Sequence, residues 1–397
     1  MASLLVGVAA VACISNRAYN VEPDEYVRSE EVPGSNVPVD FAIIEFDEFG
    51  VLWTRDQLDA AIDLVARAGA ESDLGIMLIV HVHGWNQNAD PDREDGALET
   101  FRSSLVDLAE NLVADGPPAP QRVVGVFLGW RGATTRVPLF RESTFWARKQ
   151  VAERVASYHA REAMFRLTRR AKEIEGSKVV ISGHSMGGMI VGKTMGPAIS
   201  SLLLAFGEQG FPMLADIVVL QNPALDALSS YQLVDFFKRI GATAELRSKD
   251  GSIQPAPGPL MVSVTSEADW VTRVAYPIGQ VVGAMGASTR DDHLEGEPSQ
   301  WRLITRTNGH VDGLVSHRAT VVDGEVVVER VPGSMNDTPF WILSVSREIS
   351  AGHEDVFGPY FMELIERLTK LNRVYDSDLQ TWVRTRGFEA DLPQEPR

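Results

Sequence analysis

The sequence predicts an α/β fold: a mainly parallel central sheet with helices on both faces and several inserted segments. Three observations lead there. Apolar runs of strand length recur without polar alternation, as strands buried on both faces require. Segments with apolar residues at helical spacing separate these runs, and strands alternating with helices give parallel sheets. A chain of 397 residues, 44% hydrophobic and 23% charged, is long enough to bury one large core with insertions.

The elements follow in order. "MASLLVGVAAVACISNR" carries an apolar stretch from Leu4 to Ala12, too short to span a bilayer but suited to a signal-peptide core. Ala10-Val11-Ala12 fits a small-x-small cleavage site, and the run ending in Cys13 resembles the lipid-attachment box of bacterial lipoproteins, although no Lys or Arg precedes it. Residues 1–13 are therefore expected to direct export or lipid anchoring at a bacterial envelope, with peripheral or lipid-anchored membrane association. A short apolar helix or frayed tail in a cytoplasmic protein is the alternative. Residues 14–40 are polar with three prolines and read as a lead-in.

The domain is expected over 41–376. "FAIIEF" is a strand, and "TRDQLDAAIDLVARAGAES" a helix with Thr54 as N-cap and Gln57 three residues on. "GIMLIVHVHGW", "RVVGVFLGW", "SKVVIS", "ADIVVLQNP", "PLMVSVTSEAD" and "FWILSVS" read as further strands. "ALETFRSSLVDLAENLV", "GMIVGKTMGPAISSLLLAF" and "YFMELIERLTKL" read as helices. Insertions are expected near 131–176, 225–259 and 277–339. The first is basic and helical, with Phe145, Trp146, Tyr158 and Phe165 turned to the core. The third contains Asp323-Gly324 between β-branched runs, a two-residue hairpin signal. Residues 377–397 read as a C-terminal tail.

A net charge of −17 argues against general phosphate-backbone binding, so nucleic acid is not an expected partner. One cysteine excludes an intramolecular disulfide, and no Cys/His spacing reads as structural zinc. His81-x-His83 places two histidines on one strand face, but no further ligand set accompanies them.

The stretch "VVISGHSMGGMI" carries the chemistry. Gly183-His184-Ser185-Met186-Gly187 fits Gly-x-Ser-x-Gly, in which a strained strand-to-helix turn presents a serine. The pentapeptide alone arises by chance in roughly 0.1 of chains this long. Its setting, between a strand and an amphipathic helix, strengthens the reading. A serine hydroxyl needs a base, a group orienting that base, and oxyanion donors. The Met186 amide supplies one donor. His83-Gly84-Trp85, directly after an earlier strand, offers the Trp85 amide as the second, with His83 bracing the loop. His184 is expected to pack beside the turn, away from the hydroxyl.

This arrangement, strand-"HG" followed by strand-"GHSMGG"-helix, resembles the α/β-hydrolase superfamily across about residues 41–373. A narrower likeness to bacterial hydrolases of uncharacterised function rests on Glu45-Phe46-Asp47, His83 to Trp85, Gly129 to Gly132 and Thr144 to Lys149, and implies no known substrate. The superfamily's order is serine, acid, histidine. It implies Asp269 after "LMVSV" as the acid, with Glu267 and Asp226 as alternatives, and His353 after "FWILSVS" as the base. His293, His310 and His317 precede the last strand and fit that order poorly.

The resemblance implies a serine hydrolase that cleaves a small-molecule or lipid-like carboxylic ester or thioester through an acyl-enzyme, with no metal or cofactor. Trp85, Trp130 and Arg131, at strand ends, either line its pocket or pack. Two other readings stay open: an acyltransferase using the same residues, and an inactive interaction protein on the same fold.

Overall fold

The computed structural model describes residues 14–33, 37–93, 96–114, 121–135, 137, 142–206, 211–212, 214–239, 245–248, 253–255, 258–283, 298–373 and 379–382. The expected export or lipid-anchor segment, with Cys13, lies outside them, as does His293.

Ten strands form one sheet. They are β1 (Val27–Glu30), β2 (Val39–Phe46), β3 (Ile76–Val82), β4 (Arg122–Trp130), β5 (Lys178–His184), β6 (Ile217–Gln221), β7 (Met261–Ser266), β8 (His317–Val322), β9 (Glu325–Arg330) and β10 (Phe340–Val345). Their spatial order is β1-β2-β4-β3-β5-β6-β7-β10-β8-β9. Every pairing from β2 through to β8 is parallel, and only the outer strands β1 and β9 run antiparallel to their neighbours. The expected mainly parallel sheet is thus observed.

The uniformly apolar strands feed two cores. Ala42, Ile44 and Phe46 of β2 join one core, while Val39, Phe41 and Ile43 join the other, as the two-residue period of a strand requires. Five helices cover the first face: α1 (Arg55–Ala70), α3 (Phe145–Val155), α4 (His159–Lys172), α5 (Met186–Phe206) and α6 (Ala227–Arg239). Helix α2 (Ala97–Ala114) and the closing helix α9 (Pro359–Arg373) cover the second. Two short helices, α7 (Tyr276–Gly283) and α8 (Gln300–Thr305), lie in the third insertion. By length and composition α5 could cross a membrane, but 56% of its most apolar stretch is buried in the fold, which accounts for its apolarity.

Several expectations are corrected. Residues 14–40 are not a free lead-in. Strand β1 extends the sheet, and the Tyr19 and Asn20 amides donate to the buried Glu45 carboxylate at 3.0 and 2.9 Å. A carboxylate taken out of water needs donors, and this segment brings them. Burial nonetheless pushes the Glu45 carboxyl above its usual pKa. Gln57 does not complete a capping box. Thr54 caps α1, while Gln57 turns inward, accepting from the Glu45 amide at 2.8 Å.

The third insertion is part of the sheet, because the hairpin around Asp323 and Gly324, both at positive φ, forms its far edge. In the first insertion Phe145 and Phe165 pack on the core as expected, whereas Tyr158 is 81% exposed and Trp146 sits at the surface. Part of the expected tail, Leu379–Trp382, joins Phe211–Pro212, Glu245–Ser248 and Ile253–Pro255 in a separate four-stranded sheet.

Candidate active site

Ser185 stands between the end of β5 and the start of α5 with φ of 55°, a left-handed conformation costly for a side chain with a Cβ. Neighbouring backbone holds it there. The Ser185 amide donates to the Gln221 carbonyl at 2.9 Å, and its own carbonyl accepts from Met189 and Ala224. The glycines around it are required by close approach. A Cβ on Gly183 would lie 2.5 Å from the Gly187 carbonyl oxygen, and one on Gly187 would overlap the carbonyl of Val82. A Cβ on Gly84 would lie 2.9 Å from that of Ser185, so the "HGW" loop presses directly on the serine.

His353 follows β10 and reaches the serine across the sheet edge. Its Nε2 lies 2.9 Å from Ser185 Oγ, and its Nδ1 lies 2.8 Å from Asp269 Oδ2. With Nδ1–H donating to the carboxylate, Nε2 is left to accept the serine proton. The Asp269 side chain is fully buried and that of His353 is 8% exposed. Burial alone raises the Asp269 pKa, but hydrogen bonds from His353 and Thr272 outweigh it and hold the carboxyl below its ordinary value.

Asp269 has two roles at once. Its Oδ1 accepts from the Val271 and Thr272 amides at 2.9 and 3.1 Å, as a capping aspartate does, while Oδ2 faces the histidine. The alternatives sit elsewhere. Glu267 is exposed and accepts from Ser344, and Asp226 caps α6 through Ser229. His317 is stacked on Trp341 with centroids 3.8 Å apart. His310 lies on the far side of Asp269, within 3.1 Å of Thr272 Oγ1.

His83 is a brace. Its Nδ1–H donates to the Gly84 carbonyl at 2.8 Å, its Nε2 accepts from the Trp130 amide at 3.0 Å, and its ring stacks between Phe127 and Trp130. Burial holds its pKa down at about 4, so it is neutral at pH 7. His81 is bound to Ser182 and stacked on Phe101, so the two histidines are not a pair of uncommitted metal ligands. Trp130 is buried packing. Arg131 forms an ion pair with Glu48. Trp85 is half-buried, its ring edge-on to Phe145 at 5.2 Å. Met186 opens α5, where its amide has no partner within the helix.

Sequence reasoning missed the residues that hang the histidine loop. His184 Nε2–H donates to the His353 carbonyl at 2.6 Å; burial, with a smaller contribution from His353, holds its pKa at about 3. Asn222 Nδ2 donates to the Gly352 carbonyl at 3.2 Å, Gln221 Nε2 to that of Asp355 at 2.8 Å, and Ser266 Oγ to that of Ser350 at 2.6 Å. The signal available for them was the polar pair Gln221-Asn222 directly after the apolar run "IVVL".

A mainly parallel sheet, a serine on the turn from strand to helix, and an acid and a histidine on two later loops, after strands that lie side by side, define the α/β-hydrolase fold, and this chain has it. No protein-family model matches the chain, and no curated protein matches it significantly. Among solved structures it is similar to Est1E from Butyrivibrio proteoclasticus, with 10% identity, 89% of this chain and 99% of that one covered, and a TM-score of 0.27. It is also similar to TT1662 from Thermus thermophilus (11% identity, 88% and 98% covered, TM-score 0.31). A third is the phospholipase PlaB from Legionella pneumophila (15% identity, 75% and 63% covered, TM-score 0.31). These likenesses are loose, and the assignment of the fold rests on this chain's own topology.

Proposed function

We propose that the protein is a serine hydrolase that cleaves a carboxylic ester or thioester through an acyl-enzyme. The observation carrying this reading is the unbroken line Ser185–His353–Asp269, at 2.9 and 2.8 Å, beginning at a serine held at positive φ. His353 takes the Ser185 proton as Oγ attacks the carbonyl carbon, and returns it to the leaving alcohol or thiol as the acyl-serine forms. Asp269 orients the ring and balances the imidazolium. The amides of Met186, at a helix N-terminus, and of Trp85 hold the oxyanion. Water, activated by the same histidine, then releases the acid. The substrate is a small-molecule or lipid-like ester, and transfer to an alcohol in place of water would use the same residues.

Labelling by a fluorophosphonate probe tests this, alongside hydrolysis of short and long p-nitrophenyl esters with and without an added alcohol. Wild type is expected to label and turn over, and Ser185→Ala to do neither. A folded wild type that neither labels nor hydrolyses any ester overturns the reading, and an ester product with the added alcohol identifies transfer.

A further inference from the structure

His310 competes in sequence for the role of base, yet in the structure it stands behind the acid rather than beside the serine. Between them lies Thr272. Its Oγ1 is 2.6 Å from Asp269 Oδ2, the same oxygen that receives His353 Nδ1–H, and 3.1 Å from His310 Nε2. The proton count fixes every direction. An ionised carboxylate only accepts, so the single Thr272 hydroxyl proton goes to Asp269, and His310 Nε2–H must donate to Thr272 Oγ1. Asp269 then receives four donors: two amides on Oδ1, and Thr272 with His353 on Oδ2.

His310 is held for this contact. It ends the short 3-10 turn Asn308–His310, whose Asn308 is buried and bonded to Ser230 and Ser263, and Gly309 packs so closely on β7 that a Cβ would strike Thr265. Burial lowers the His310 pKa to about 4, against the pull of Asp269 and with the repulsion of Arg273 and Arg306, so the ring stays neutral at pH 7.

We infer that Thr272 and His310 extend the line to five residues: Thr272 positions the Asp269 carboxylate for His353, and His310 acts only through Thr272, by locking its hydroxyl towards the acid. This inference rests on the proposed Ser185–His353–Asp269 chemistry. Both are positioning residues, since neither touches the reacting atoms. A hydroxyl fixed by a second donor cannot rotate away when the imidazolium forms, so Asp269 keeps its charge and orientation through the step that needs them.

The test measures kcat and KM on a p-nitrophenyl ester with unlabelled enzyme, a separate sample of wild type having first been shown to label at Ser185 with a fluorophosphonate probe. Thr272→Val is expected to lower kcat about 10- to 100-fold, the size of one hydrogen bond to a charged group, with KM within about twofold. Thr272→Ser is expected to restore most of it. His310→Leu is expected to lower kcat about 3- to 10-fold in the wild-type background but to leave it unchanged on Thr272→Val, because its effect has no other route. His310→Gln, which keeps a donor near Nε2, is expected to recover part of the loss. Should Thr272→Val fail to fold, the same cycle is run with Thr272→Ala, which also removes the hydroxyl: His310→Leu is expected to leave kcat unchanged on that background, and a further loss there overturns the inference.

Wild-type kcat in Thr272→Val, or losses at the two positions that multiply, overturns the inference while leaving the labelled serine intact. A wild type that does not label overturns the reading on which it rests, and the inference with it.

Discussion

The turn at Ser185 and the loop at His353 meet at the Ser185–His353 hydrogen bond but are built by opposite means. The turn is made by what is missing. Gly183 and Gly187 lack side chains where backbone must pass, Gly84 lacks one where the Ser185 and His184 side chains must fit, and the serine's own amide and carbonyl are tied to the Gln221 carbonyl and to the Met189 and Ala224 amides. The loop from 346 to 358 has only turns of its own. It is hung from side chains that other segments contribute: His184 from β5, Gln221 from β6 with Asn222 directly after it, and Ser266 from β7. The first design is steric and intolerant of added atoms. The second is distributed and depends on donors arriving from far away in sequence.

The largest expected effect breaks the first design. Gly187→Ala puts a Cβ onto the Val82 carbonyl, where backbone rather than a flexible side chain must give way. A loss of about 3 kcal/mol or more, or failure to fold, is expected in thermal unfolding. A wild-type Tm would show that the turn has slack.

Acid strikes both designs, since His83 and His184 are buried and neutral with pKa values of about 4 and 3. The unfolded chain binds a proton at each below about pH 6.5, whereas the folded one does not until near those values. Stability is therefore full above about pH 6.5 and falls on acidification towards pH 4, at up to about 1.4 kcal/mol per pH unit for each histidine. Thermal melts across that window are expected to show the fall, and replacing His184 by Gln to make it less steep. A Tm that holds level from pH 6.5 to 4 would contradict the buried neutral assignment.

Asn222→Ala cuts the loop's suspension. It removes the donor to the Gly352 and His353 carbonyls and the acceptor of the Ser266 amide. About 1 to 3 kcal/mol of stability is expected to go with it, and kcat about tenfold, as His353 loses its fixed height above Ser185. If Tm drops while kcat holds, the loop is positioned by its other supports, and the contrast with the turn narrows.

The smallest effect serves as the control. Gly352→Ala meets nothing within 4 Å, so the same substitution that is ruinous in the turn is expected to change stability by no more than about 0.5 kcal/mol in the loop. A large loss there would mean that the loop too is sterically built.

The same contrast explains what could be read in advance. The Ser185 turn was legible because two of its glycines, Gly183 and Gly187, are sequence neighbours of the serine. The strands were legible because double-faced burial writes an unbroken apolar run. The acid was narrowed to Asp269, Glu267 and Asp226, yet nothing local separates an aspartate that caps a helix from one that also faces a histidine. Asp269 does both. The misread lead-in has the same origin: its amides are useful only because Glu45 is buried opposite them. Thr272 and His310 carry no signature at all, being ordinary residues 38 positions apart.

The sequence by itself determined the alternation of elements, the strained serine turn and the order of the loops that follow, because each depends on periodicity or on the sterics of a few adjacent residues. Only the tertiary structure decided which acid faces His353, what suspends that histidine and where the N-terminal segment binds. Hydrogen bonds between distant segments select their partners by position in space, and that position exists only once the sheet has brought β5, β6, β7 and β10 side by side.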